Sequence, residues 1–321
     1  MNNLYNVIII GAGNIGALFD EPSSEKVLTH AHAFLSHEGF NLLGFLDVNE
    51  EKSRKAVSIW SGKVYSSLEE AFSLDKIDVV SVAVPDEYHY QILKELSKFP
   101  VKIVFAEKPL TKTLQEAEEI SELYKKNNIP VVINYSRRFL PEIQKIKENI
   151  ENGIYGNYVT GTGYYGKGII HNGSHLIDLL RYLNLDIKKI LPLDSISDFY
   201  EDDKSISAVL IFERNKPFYL QYIDCRLYTM FEIDILFERR RIRLIDSGFR
   251  IEEYEIQEDR IFKGYRKFTK VDDISTSLDK SLYSAVDNIY SYLTKGEKLY
   301  CLLEDGYKAL ETCIKIRERI K

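Results

Sequence analysis

The 321-residue sequence is short of several things, and each shortage excludes something. Its three cysteines, Cys225, Cys301 and Cys313, are odd in number and scattered, with no CxxC pair. A disulfide scaffold and a zinc ribbon are therefore not expected. No run approaches the roughly 18 uninterrupted apolar residues of a membrane span. Residues Met1 to Asn6 carry no lysine or arginine ahead of a short apolar run that ends in glycines, which makes a poor signal peptide. Free cysteines without a span or leader lead to the expectation of a cytoplasmic protein. There is no excess of positive charge: 43 basic against 49 acidic residues give a net charge of -6, a field that does not favour nucleic acid. Histidine is scarce and lopsided. The six are His30, His32, His37, His89, His171 and His175, with none beyond. Any histidine chemistry must come from the first part of the chain.

What is present is ordinary for a globular chain, and the length predicts one large or two medium domains. The first half alternates strands and helices. Apolar runs at Val7–Ile10, Leu42–Asp47, Asp78–Val84, Lys102–Glu107 and Val131–Asn134 fit a parallel sheet buried on both faces. Ser67 with Glu70, and Thr113 with Glu116, fit capping boxes that open helices. The pattern predicts an α/β doubly wound sheet. From about Asn157 the runs alternate with period 2, at Asn157–Tyr165, Ser205–Glu213, Phe218–Arg226, Phe231–Glu238 and Arg241–Ile245. They predict a mainly antiparallel sheet, with helices at Leu176–Leu183, Leu278–Leu293 and Leu302–Ile320. The expected domains are residues 1–134 and 135–321, with the last helix able to pack back on the first.

The run Tyr5–Ile10 enters Gly11-Ala12-Gly13-Asn14-Ile15-Gly16. In a strand–GxGxxG–helix unit the first glycine permits the tight turn, the second admits a pyrophosphate and the third lets helix pack on strand. Asp47, at the end of the second apolar run, is the expected partner of the adenine ribose hydroxyls. It lies 31 residues after Gly16, against about 20 in the usual unit; the breaking segment from Asp20 to Lys26 accounts for the excess. An acid there repels a 2′-phosphate, so NAD is expected over NADP.

With Ala106-Glu107-Lys108-Pro109-Leu110 and Gly173-Ser174-His175-Leu176-Ile177-Asp178 in the same order, the sequence resembles the glucose-fructose oxidoreductase/inositol dehydrogenase/rhizopine-catabolism (Gfo/Idh/MocA) family. Weaker echoes are Pro85 to His89 and Asn134 to Phe139. The resemblance implies an N-terminal Rossmann domain and a C-terminal α/β domain with an open, mainly antiparallel sheet that often mediates oligomer contacts, hence a homo-oligomer. It implies pyridine-nucleotide-dependent hydride transfer at a hydroxyl-bearing carbon of a sugar or polyol. The HNGSH stretch points within the family towards an amino-sugar or nucleotide-sugar. The family's Lys–Pro bond is often cis.

Lys108, at the C-terminal end of a buried strand, could hydrogen-bond the reacting hydroxyl and stabilise a developing alkoxide. His175 takes the general acid/base role, for which imidazole suits neutral pH. His171 stands where the family usually has Asp; it is assigned to substrate contact or proton relay. Zinc bound by His171 and His175 is the competitor. Asn172-Gly173-Ser174 is a poor helix interior, Ser174 reads as an N-cap and no third ligand is near, so no metal is expected. Val84, Pro85, Glu107 and Lys108, with Gly11, Gly13, Asn14, Ile15, Gly16 and Asp47, are the cofactor candidates. His89 is read either as lining the nicotinamide end or as packed. Asn172, Tyr164, Tyr165, Arg137 and Arg138 are the substrate candidates. His30 and His32 are expected to be structural, with His30 near the pocket, and His37 solvated. Arg239-Arg240-Arg241 reads as a solvated strand turn. A non-catalytic NAD or sugar sensor on the same fold is the alternative function.

Overall fold

The computed structural model describes residues 4–320. The chain divides into two compact units, one running to Phe139 and including Asp279–Leu310, the other Leu140–Leu278 with the segment from Glu311.

The first unit holds a six-stranded parallel sheet of β1 (Tyr5–Ile10), β2 (Phe40–Leu46), β3 (Lys63–Tyr65), β4 (Val79–Val82), β5 (Ile103–Ala106) and β6 (Val131–Ile133), in the order β3-β2-β1-β4-β5-β6. Val7, Ile8, Ile9, Val79, Val80, Ile103 and Val104 are fully buried, which is why these strands read as unbroken apolar runs. The order reverses between β1 and β4, and in such sheets a ligand binds outside the strand C-termini at that point. The helices between are α1 (His30–Leu35), α2 (Glu50–Trp60), α3 (Leu68–Leu74), α4 (His89–Leu96) and α5 (Leu114–Asn127). Thr113 and Glu116 form the full reciprocal capping box of α5. Ser67 caps Glu70 N–H, but the Glu70 carboxylate accepts from Ser66 instead.

The turn after the glycines is short. Asn14–Leu18 forms one π-helical turn, and regular helix resumes only at His30. Asp20 organises the break: its carboxylate accepts from Leu28 N–H, Thr29 hydroxyl and His32 Nδ1. The buried Trp60 indole on α2 donates to Ala17 O at 2.7 Å and ties the turn down.

The second unit contains α6 (Pro141–Glu151), β7 (Tyr158–Tyr165), α7 (Ser174–Tyr182) and the strands β8 (Lys189–Ile196), β9 (Ser205–Ile211), β10 (Pro217–Tyr222), β11 (Glu232–Phe237), β12 (Arg240–Ile245), β13 (Arg250–Glu258) and β14 (Arg266–Ser275). They form an eight-stranded sheet, β14-β13-β12-β11-β7-β10-β9-β8. Among the described residues, β7 and β10 pair in parallel and the other ladders of this sheet are antiparallel. Gly161 and Gly163 leave room on one face of β7, where a Cβ on Gly163 would strike Leu176 at 2.5 Å. That face therefore carries α7.

α8 (Ser281–Lys295) belongs to the first unit and packs on α1, and α9 (Leu303–Glu318) closes the chain. This contradicts the solvated reading of His37. It is buried among Phe40, Tyr283 and Tyr290, with Asp287 3.3 Å from Nε2. No helix among the described residues is long and apolar enough to cross a membrane.

Candidate active site

In the first unit, the three glycines differ in what surrounds them. Gly11 takes φ +95°, and a Cβ there would lie 2.4 Å from Ala83 O. A Cβ on Gly16 would lie 1.9 Å from Gly11 O. Gly13 has nothing within 4 Å of its Cβ position. Two glycines thus serve the turn's own packing, and the second leaves an approach open. At the end of β2, Asp47 Oδ2 accepts from Ala12 N–H at 2.8 Å, and Oδ1 accepts from Asn49 N–H at 2.9 Å. A carboxylate is fixed beside the glycine turn with lone pairs to spare for sugar hydroxyls. These residues fit a dinucleotide: Gly11 to Gly16 at the phosphates and Asp47 at a ribose.

The C-terminal ends of β4, β5 and β6 supply a polar cluster. The buried His30 places Nδ1 2.6 Å from Ser81 Oγ and Nε2 3.0 Å from Glu107 Oε1. Asn134 Nδ2 donates to the same Glu107 oxygen at 2.6 Å. Burial opposes ionisation of Glu107, but the hydrogen bond and charge of His30, the Asn134 amide and the Lys108 charge prevail and hold its carboxyl below the usual value. Lys108 follows it, half-buried, on a cis bond to Pro109.

His89 is fully buried, with Nδ1 2.6 Å from Pro109 O and Nε2 3.0 Å from Val84 O. Both ring nitrogens are engaged with backbone, so its place is to join the Val84 and Pro109 loops, the packed reading of the two offered by the sequence. Arg138 contradicts its reading as a substrate contact: it is buried, donates to Tyr300 O and pairs with Asp305 at 3.0 Å. Burial also lowers the Arg137 guanidinium to about 10.

In the second unit, Gly168–Gly173 forms a π-helical turn that runs directly into α7. Ser174 is the first residue of α7 rather than its N-cap; the turn before it is already helical, which removes the need for a side-chain cap. His171 and His175 are both partly exposed. The His171 ring lies 4.8 Å from the Tyr200 ring, with the Tyr200 hydroxyl 3.4 Å from Nε2. His175 meets Phe231 edge-on at 6.4 Å. The Asn172 amide closes the turn on Gly166 O. Asp203 accepts from the N–H groups of Ile170 and His171. Burial raises its carboxyl above the usual value despite those donors and the charge of Arg317.

The two tyrosines do not join this group. Tyr165 is fully buried and exchanges hydrogen bonds with Ile206 O and N–H at 2.8 and 2.7 Å. Tyr164, one residue earlier, faces the side of the sheet opposite α7 by strand alternation. The Arg239-Arg240-Arg241 run is engaged locally: Arg239 with Gly153 and Ile154 carbonyls, Arg240 with Glu255 and Arg241 with Asp234.

Residues 5–135 match the family described as "Oxidoreductase family, NAD-binding Rossmann fold", that of Gfo/Idh/MocA. Over this region the chain is similar to the Gfo/Idh/MocA oxidoreductases. An uncharacterized oxidoreductase of Schizosaccharomyces pombe is 28% identical over 188 residues, covering 53% of this chain and 49% of that protein. The inositol 2-dehydrogenase of Corynebacterium glutamicum is 24% identical over 167 residues, covering 51% and 46%. The chain thus aligns with about half the length of these curated relatives. A UDP-N-acetylglucosamine 3-dehydrogenase from Acidithiobacillus ferrooxidans shares the fold over 99% of this chain and 98% of its own, at a TM-score of 0.78 and 15% identity.

Asn134, Tyr200 and Asp203 were not found from sequence. Asn134 opens one of the weaker family echoes, but nothing in the sequence pairs its side chain with Glu107. Tyr200 and Asp203 sit in a connection whose local pattern names no partner.

Proposed function

We propose that the protein is an NAD(H)-dependent oxidoreductase acting at a hydroxyl-bearing carbon of a sugar, polyol or sugar derivative. The observation that carries it is the open approach at Gly13 beside the fixed Asp47 carboxylate, on the same sheet edge as Lys108. An inositol 2-dehydrogenase and a UDP-N-acetylglucosamine 3-dehydrogenase among the similar proteins support the substrate class.

The cofactor, when bound, supplies the redox chemistry. The chain supplies binding and proton handling. Asp47 accepts from ribose hydroxyls and disfavours a 2′-phosphate, which selects NAD. The Lys108 ammonium donates to the reacting oxygen and stabilises alkoxide character as it develops. The half-buried, ionised Glu107 favours the charged form of that lysine. His175 takes the hydroxyl proton in oxidation and returns it in reduction. His171 contacts the substrate on the preceding turn.

The test is a panel of sugars, polyols and nucleotide sugars, followed by dihydronicotinamide absorbance with NAD and NADP in parallel. Lys108→Ala and His175→Ala should each lose turnover by about a hundredfold or more while still binding NADH. Unchanged turnover overturns the assigned roles, and tighter NADP binding overturns the cofactor choice. NADH binding without turnover on any panel member would favour a sensor.

A further inference from the structure

Five successive backbone N–H groups, from Lys167 to His171, are all received by one short segment between Asp198 and Ser205. Lys167 N–H goes to Asp198 Oδ2 at 2.8 Å, and Gly168 N–H to Ser205 Oγ at 2.8 Å. Ile169 N–H goes to Lys204 O at 3.0 Å. Ile170 and His171 N–H groups both go to the Asp203 carboxylate, at 3.1 and 2.8 Å. The Ser205 hydroxyl donates in turn to Asp198 Oδ1 at 2.9 Å, so the two ends of the segment brace each other.

The turn needs this help. Lys167 and Gly168 both take positive φ, 64° and 82°, and a lysine gains nothing from the left-handed region. A π-helical opening leaves its first N–H groups without partners inside the helix. Gly168 cannot be replaced cheaply, because its Cβ would lie 2.1 Å from the Asp203 carboxylate. Asp198 and Asp203 are themselves buried. The same segment carries Tyr200, whose ring packs at a tilt against the His171 ring.

We propose that residues 198–205 are the positioning element of His171: Asp203 fixes its backbone N–H, Asp198 and Ser205 fix the start of the turn that leads to it, and Tyr200 fixes its ring. The proposal rests on the reading that His171 contacts the substrate only for its functional meaning; the positioning is measured without turnover. None of these residues is a catalytic group; they act through His171.

The experiment is a proton–carbon correlation spectrum of the six histidine rings of the full chain, with the His171 signal identified by its loss in His171→Asn. In Asp203→Asn the side-chain amide presents N–H groups to donors that met oxygen. The His171 ring signal should shift, and His175 on the adjoining turn should move with it. His30, His32, His37 and His89 should stay in place, and NADH affinity should be unchanged. Tyr200→Phe should move the His171 ring signal alone. An unmoved His171 signal in both variants overturns the proposal. So does an equal movement of the four first-unit histidines, which marks a merely structural role. If Asp203→Asn does not fold, Ser205→Ala decides by the same signals. A shifted His171 signal with unchanged turnover on a panel substrate keeps the positioning and removes the substrate role of His171.

Discussion

His30 Nε2 lies 3.0 Å from Glu107 Oε1, although 77 residues separate them in the chain. The pair links the helix that resumes after the Asp20–Thr29 break to the residue preceding Lys108. It also makes one carboxylate answer to two neighbours, His30 and Asn134.

The ionised Glu107 gives stability a definite dependence on pH. Its folded-state value is depressed. Its contribution is complete above the ordinary glutamate value, about 4.3, and is lost as pH falls through the lower folded-state value. Glu107→Gln should therefore be less stable than the native protein near neutrality, with the gap closing in acid. Urea unfolding at a series of pH values measures it; a gap that does not change with pH contradicts the assignment.

Two glycines of one motif should fail in different ways. Gly16→Ala drives a methyl into Gly11 O and should cost about 1–3 kcal/mol of stability. Gly13→Leu meets no protein atom near its Cβ and keeps an extended backbone. It should unfold like the native chain while NADH fluorescence enhancement disappears. If Gly13→Leu binds NADH normally, the phosphates do not approach there.

Tyr165→Phe tests a residue that sequence placed in the substrate pocket. Its hydroxyl satisfies both the N–H and the carbonyl of Ile206 inside the unit. Removing it leaves buried backbone groups unpaired, at about 1–3 kcal/mol. Chemical denaturation should show that loss, with the Michaelis constant for a panel substrate unchanged. A raised Michaelis constant at native stability would return Tyr165 to the pocket.

How legible the molecule was depends on the range of the interaction. The parallel sheet could be read because Ile8, Val80 and Val104 are buried on both faces, and the glycine turn because its geometry is local. The strands β8, β13 and β14 were missed, as was the three-residue β3 at the edge of the parallel sheet. Stretches such as Arg250-Ile251-Glu252-Glu253-Tyr254 carry charges that are paired across the sheet, Arg243 with Glu252 and Arg250 with Asp273, so their alternation is not a simple apolar one. His37 and Arg138 were misplaced for one reason: their partners, Tyr290 and Asp305, come from the far end of the chain. Tyr164 and Tyr165 were named together, but adjacent strand residues cannot face the same way. Asp203 was invisible because its work is done on backbone N–H groups, which no side-chain motif records.

The chain has a single tryptophan, and Trp60 hangs from Ala17 in the turn that follows the glycines. Its emission is free of any competing indole and overlaps the absorption of reduced nicotinamide. The protein thus carries its own optical donor next to the dinucleotide loop, and energy transfer from that one ring can follow occupancy of the loop without any label.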